Sequence, residues 1–140
     1  LEKPLVIAYL DASAVVKLML QEPETDELRS FVRGCEPVSS EIVVTEVLRA
    51  AQRGPISDAA ARGDLVESAM GAMEELTLVM AQTSTFARAG MIDGHHLRSL
   101  DAIHIATAQG IDCVDIFVTY DDRQAAAARL AGFATISPGA

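Results

Sequence analysis

Four carboxylates stand where a charge is costly unless it is used. Asp11 ends an apolar run from Leu5 to Leu10, and Asp121 ends a second, IFVTY. Glu46 lies within SSEIVVTEVLRA and Asp101 within LRSLDAIHIATA, both apolar helical contexts. An acid is seldom buried without a partner, and Asp is a poor helix-interior residue. Brought into one pocket, four such acids would raise one another's pKa values and oppose folding. A divalent cation removes that conflict, and an all-oxygen donor set favours Mg2+ or Mn2+ over zinc or copper. Such an ion lowers the pKa of a bound water and offsets charge on a phosphoryl oxygen, so the chemistry in view lies at phosphorus. The alternative is ordinary. Among 20 acidic residues some coincidence is cheap, and Asp11 or Ser13 can simply cap a helix.

The flanking pattern predicts what positions these acids. Leu5 to Leu10 reads as a buried strand, and Val15, Val16, Met19 and Leu20 recur at helical spacing after it. Asp11 therefore sits where a strand stops and a helix starts, the edge at which open α/β sheets bind ligands. Pro23 and Glu24 open a second helix, with Leu28, Phe31 and Val32 as its stripe and Gly34 as its stop. Glu36 to Ser39 reads as a very short strand or turn, and Ser39 or Ser40 as the cap of a helix that ends at Gly54-Pro55. Ser57 to Leu76 is helical, interrupted or weakened at Gly63 and Gly71, and Leu76 to Met80 is a second buried strand. Thr83 to Ala89 is a short helix, Gly90 to His96 a loop, and Ser99 to Gln109 a helix ended by Gly110. Ile116 to Tyr120 is a third strand, Gln124 to Ala131 a helix ended by Gly132, and Phe133 to Ile136 a final edge strand. Strands alternating with helices imply an α/β fold, its mainly parallel sheet covered on both faces. No repeat or linker divides residues 1–140, and one domain accommodates them.

Composition narrows the function. The net charge of −9 argues against gripping nucleic acid by bulk charge, though not against a nuclease whose acids are neutralised by metal. Nine of the eleven basic residues are Arg, suited to forked contacts with phosphate. No apolar run approaches the ~20 residues that cross a bilayer, and no secretory signal is evident. Cys35 and Cys113 form no metal or redox motif, and free thiols agree with a cytoplasmic setting.

The ordered segments LDASAVVKLMLQEPET, SSEIVVTEVLRA, LRSLDAIHIATA and FVTYDDRQAAAARLAGF resemble the PIN-domain ribonucleases, specifically the VapC-type toxins of bacterial toxin–antitoxin pairs. The resemblance spans nearly the whole chain. It implies a three-layer fold with a central parallel sheet between helices, Mg2+- or Mn2+-dependent RNA cleavage, a VapB-type antitoxin that occludes the site, and a homodimer. It carries the family's four acids onto Asp11, Glu46, Asp101 and Asp121 as catalytic metal ligands. A Ser beside the first acid falls on Ser13, and a Thr before the fourth on Thr119, both as residues that orient the ligands. The adjacent Asp121 and Asp122 depart from the pattern, with Asp121 expected to be the ligand and Asp122 the helix cap.

Other polar residues read more plainly. Glu41 lies five positions before Glu46 and faces elsewhere on the helix. His95 and His96 are adjacent loop residues that do not naturally share a metal, and His104, three residues after Asp101, could orient that carboxylate or line the pocket but reads rather as a core histidine with its hydrogen bond satisfied. Arg49, Arg98 and Arg123 lie near the acids in sequence, either guiding RNA phosphates or sitting as surface charge. Two rival functions remain open. One is a Mg2+-dependent phosphatase or phosphotransfer enzyme with Asp11 as nucleophile, although the residue two positions on is Ser13 rather than a second acid. The other is a non-catalytic binding module that keeps the fold and a partner surface.

Overall fold

A computed structural model describes residues 5–53, 59–94 and 96–140. The helix stop at Gly54-Pro55, the helix start at Ser57 and His95 lie outside the described residues. The elements run β1 (Val6–Leu10), α1 (Ala12–Met19), α2 (Thr25–Arg33), β2 (Cys35–Ser40), α3 (Val43–Arg53), α4 (Ala59–Glu74) and β3 (Thr77–Val79). They continue with α5 (Thr83–Ala89), α6 (Ser99–Gly110), β4 (Ile116–Val118), α7 (Asp122–Leu130) and β5 (Thr135–Ile136).

The five strands form one sheet in the order β3-β2-β1-β4-β5, and every pairing is parallel. Alternation along the central strands divides the core in two. Ala8 and Leu10 of β1 and Val118 of β4 pack with Val15, Leu18, Leu28, Val43 and Val47. Tyr9 and Phe117 point the other way, against Ile105, Ala108, Ala127 and Ala128. The result is the expected three-layer α/β arrangement: α1 to α4 contribute to one face, α6 and α7 to the other. The chain leaves β1 toward β2 and β3, then returns to its opposite side as β4 and β5. The strand order therefore reverses between β1 and β4, which opens a crevice at their C-terminal ends. Asp11 and Asp121 stand at that crevice.

Three local expectations change. Cys35–Ser40 is a full strand rather than a short strand or turn, pairing with β1 from Val6↔Cys35 to Tyr9↔Val38. Pro37 is tolerated there because pairing with β3 begins only at Val38, so β2 has one neighbour at the proline. Ser39 is consequently strand rather than cap, its hydroxyl donating to the Leu10 carbonyl, and α3 starts at Val43. The run LTLVM is buried only in part, with Leu76 in the core and Leu78 and Val79 half-buried. Its strand is the sheet edge, Thr77 is exposed, and Met80 lies beyond the strand and is exposed. Within Ala59–Glu74 the helix passes Gly63 and Gly71 without a break. Among the described residues no helix is long and apolar enough to cross a membrane.

Candidate active site

Asp11 is the floor of the crevice. The apolar sequence of β1 carries it to the strand end, and α1 begins at once after it. Its Oδ1 accepts from the Ala14 N–H at 3.1 Å, so it is the cap of α1. The Ser13 hydroxyl also donates to Oδ1, and the Thr119 hydroxyl donates to Oδ2, each at 2.6 Å. Ser13 and Thr119 are themselves 3.2 Å apart, and each accepts a backbone N–H, from Tyr120 and Asp121 respectively. The two hydroxyls are thus locked as donors to one carboxylate. Asp11 is 2 % exposed. Burial pushes its pKa up, against the downward pull of Ser13, Thr119, His104 and the Ala14 amide. The capping role and the site role fall on the same residue.

Asp121 ends β4 differently. Its Oδ1 accepts from the backbone N–H groups of Arg123 and Gln124, at 2.8 and 3.0 Å. Asp121 is therefore the N-cap of α7, and Asp122 is its first helical residue, exposed in the first turn. The cap therefore falls on Asp121 and not, as expected, on Asp122. The extended backbone that a cap requires already occurs at Asp121 (φ −103°, ψ 120°), so the helix starts one residue earlier than its composition implies.

Asp101 lies in the first turn of α6, half-buried. Burial raises its pKa, and the negative charges of Asp121, Asp11 and Glu46 raise it further, with His104 opposing them. The charges of the other three acids thus all reach Asp101. Gln124 ties two of them together: its N–H reaches Asp121, and its fully buried side-chain amide donates to the Asp101 carbonyl at 3.1 Å. The sequence reading missed Gln124, whose only signal was an amide among alanines.

Glu46 enters from the first turn of α3 and meets His104, with Oε1 2.6 Å from the ring Nε2. His104 Nδ1 lies 2.7 Å from the Tyr9 hydroxyl. His104 is the satisfied core histidine expected, but it serves Glu46 rather than Asp101, three residues away on its own helix. Glu41 is exposed and accepts the Ala81 N–H, away from the cluster.

A cleft of ≈ 680 Å³ lies over the acids, with Ser13, Glu46, Asp101 and Asp121 in its wall and Arg49, Arg53 and Arg98 around them. Arg123 and His96 line an adjoining depression that shares Arg98, Asp101 and Asp121. Lys17 also faces the cleft, but Glu22 and Glu24 hold its ammonium at 2.7 and 2.9 Å. Among the described residues no group of three His, Cys, Asp or Glu side chains is arranged to hold a metal ion as it stands. The hydrogen bonds explain why. Asp11 and Asp121 are turned to their caps and Glu46 to His104, so the acids share a field without closing a cage.

A family model for the PIN domain matches residues 8–130, which takes in all four acids. The chain belongs to the PIN-domain family. Within it, the chain is of the VapC type. It is 41 % identical over 134 residues to Ribonuclease VapC46 of Mycobacterium tuberculosis, covering 93 % of this chain and 96 % of the relative. It is 35 % identical over 138 residues to Ribonuclease VapC47 of the same species, covering 94 % and 97 %. The fold of this PIN domain also matches the crystal structure of M. tuberculosis VapC20, a sarcin–ricin loop cleaving toxin. The TM-score is 0.70 at 14 % identity, over 94 % of this chain and 99 % of that one. VapBC2 from Rickettsia felis, bound to a DNA fragment from its promoter, matches with a TM-score of 0.69 at 12 % identity, covering 95 % and 99 %.

Proposed function

We propose that this PIN domain is a divalent-metal-dependent endoribonuclease and the toxin of a toxin–antitoxin pair. The observation that carries the reading is the placement of the acids: Glu46, Asp101 and Asp121 line one cleft with Arg49, Arg53 and Arg98 at the β1–β4 crevice, and burial together with the charges of Asp121, Asp11 and Glu46 raises the pKa of Asp101. Relatives named as VapC ribonucleases support RNA as the substrate. The donor set fits Mg2+ or Mn2+, since hard cations take carboxylate oxygens and this cluster has negative charge in excess. Asp11, Glu46, Asp101 and Asp121 would hold the ion, which supplies an acidified water and a counter-charge for a phosphoryl oxygen.

The protein's own groups do the rest. Ser13 and Thr119 fix both oxygens of Asp11, so the buried carboxylate keeps one orientation as its surroundings change. Arg49, Arg53 and Arg98 stand on the cleft wall, where guanidinium forks hold backbone phosphates over the acids. Their local charge offsets a net charge of −9 that would otherwise repel RNA. The phosphotransfer reading is disfavoured, because the position two residues after Asp11, where a second acid would assist, is Ser13, and its hydroxyl donates to Asp11 itself.

A VapB-type antitoxin and a second copy of the chain are the proposed partners, in the cytoplasm. The solved VapBC2 complex supports the first. The test is cleavage of a total RNA pool by purified, antitoxin-free protein with Mg2+ or Mn2+, with end mapping of the products. Discrete cuts lost on chelation, and lost in Asp11→Asn, are the expected result. Intact RNA under all metals leaves the non-catalytic module standing.

A further inference from the structure

A buried chain of three side chains links the three elements that carry Asp11, Glu46 and Asp101. Tyr9 precedes Asp11 on β1, His104 follows Asp101 by one turn of α6, and Glu46 is on α3. Tyr9 and His104 are both fully buried, and Tyr9 stacks on Phe117 with ring centroids 5.2 Å apart. The Tyr9 hydroxyl lies 2.7 Å from His104 Nδ1, and His104 Nε2 lies 2.6 Å from Glu46 Oε1. A phenol in an apolar strand needs polar partners, and here the histidine is one of them, with Ser39 and Thr107 also beside the hydroxyl.

The direction of these bonds follows from the groups. A carboxylate only accepts, so the hydrogen of the last bond sits on Nε2. A phenol carries its hydrogen at neutral pH, so the Tyr9 O–H is available to Nδ1. The ring is fastened from both sides and donates to one oxygen of Glu46. The other oxygen, Oε2, has no hydrogen-bond partner among the described residues.

We infer that Tyr9 and His104 form a positioning device that commits Oε1 of Glu46 and presents Oε2 alone to the cation. The inference rests on the metal-dependent reading of the site. Neither residue touches substrate or the reacting atoms. The device acts by fixing the side chain of one ligand, and it ties that ligand to the strand and helix that bring Asp11 and Asp101. A purely structural role would make the volume at position 104 decisive. A positioning role makes the donor to Glu46 decisive.

The experiment compares His104→Gln, which retains an N–H donor near the Nε2 position, with His104→Met, which has similar bulk and no donor. Mn2+ affinity is read by electron paramagnetic resonance on the whole protein without RNA, beside melting temperature. Loss of an outer partner of a ligand costs about 10–100-fold in metal affinity. His104→Met is expected to weaken Mn2+ binding by about that factor, and His104→Gln by no more than about threefold. In a Glu46→Gln background the gap between the two variants should close, because nothing then remains to be positioned. If His104→Met does not fold, Tyr9→Phe carries the same cycle, with a smaller loss expected only when Glu46 is present. Equal affinities for the Gln and Met variants, or a gap that persists without Glu46, overturn the inference while leaving the metal site intact. A wild-type protein that binds no Mn2+ and cleaves no RNA removes the functional reading, and this inference with it.

Discussion

The two strand ends at the crevice are written in nearly the same local code, an apolar strand, then Asp, then a helix, and they do different work. At the end of β1, Asp11 is buried, caps α1 with one oxygen, and takes a hydroxyl on each oxygen. At the end of β4, Asp121 is exposed and its recorded bonds go to two backbone N–H groups of α7. Thr119 sits two residues before Asp121 yet gives its hydrogen to Asp11, while its oxygen accepts the Asp121 N–H. The difference lies in what completes the shell: Asp11 receives hydroxyls from α1 and from the loop after β4, and Asp121 receives only the backbone of its own helix.

The largest expected effect separates the two acids by charge. Asp11→Asn should lower RNA cleavage by about 100-fold or more, the scale of removing one group that stabilises charge in a transition state. Asp121→Asn keeps a good cap and removes only the charge, so its melting temperature should stay near wild type while cleavage falls. Undiminished cleavage in Asp11→Asn would sink the site assignment, and undiminished cleavage in Asp121→Asn would reduce that residue to a cap.

Metal and pH sharpen the comparison next. Burial raises Asp11, and burial together with Asp121 and Asp11 raises Asp101. Without metal, the folded state then keeps protons that the unfolded chain releases near the ordinary Asp value of about 3.9. The stability from these protons is full below that value and is lost as pH rises through the raised folded values. Mn2+ at a hundredfold excess over its dissociation constant should return about 2.7 kcal/mol on the alkaline side. A melting series against pH, with and without Mn2+, checks this in wild type and Asp101→Asn. Equal Mn2+ stabilisation of the two proteins would take Asp101 out of the ligand set.

Thr119→Val probes the shell of Asp11 and also leaves the Asp121 N–H without the oxygen that accepts it. It keeps the shape and strands one oxygen of a buried carboxylate, at a cost of about 1–3 kcal/mol. Thr119→Ser, which restores the hydroxyl, should recover most of that in chemical denaturation. No difference between Val and Ser at 119 would mean that the Oδ2 bond does not hold Asp11 in solution.

The smallest effects lie at the neighbouring acids of β4. Asp121→Ala should cost about 1 kcal/mol through loss of the α7 cap. Asp122→Ala, on an exposed side chain in the first turn, should change stability by no more than about 0.5 kcal/mol. The opposite ranking would restore Asp122 as the cap.

The parts legible in the sequence are those whose physics is local. Val, Ile, Tyr and Phe runs ending in Asp marked β1 and β4, and helical spacing marked α1, α3 and α6, because side-chain periodicity follows from backbone geometry over a few residues. The four acids were legible for the same reason, as charges out of place on those elements. The tertiary structure alone decided strand order, which made LTLVM an edge rather than a buried strand and placed the six-residue β2 beside β1. It also decided the partners. Thr119 reaches Asp11 across 108 positions, His104 reaches Glu46 across 58, and Tyr9 reaches His104 across 95. Hydrogen bonds at such separations depend on which elements the sheet order brings together, and no spacing rule within a single element encodes them.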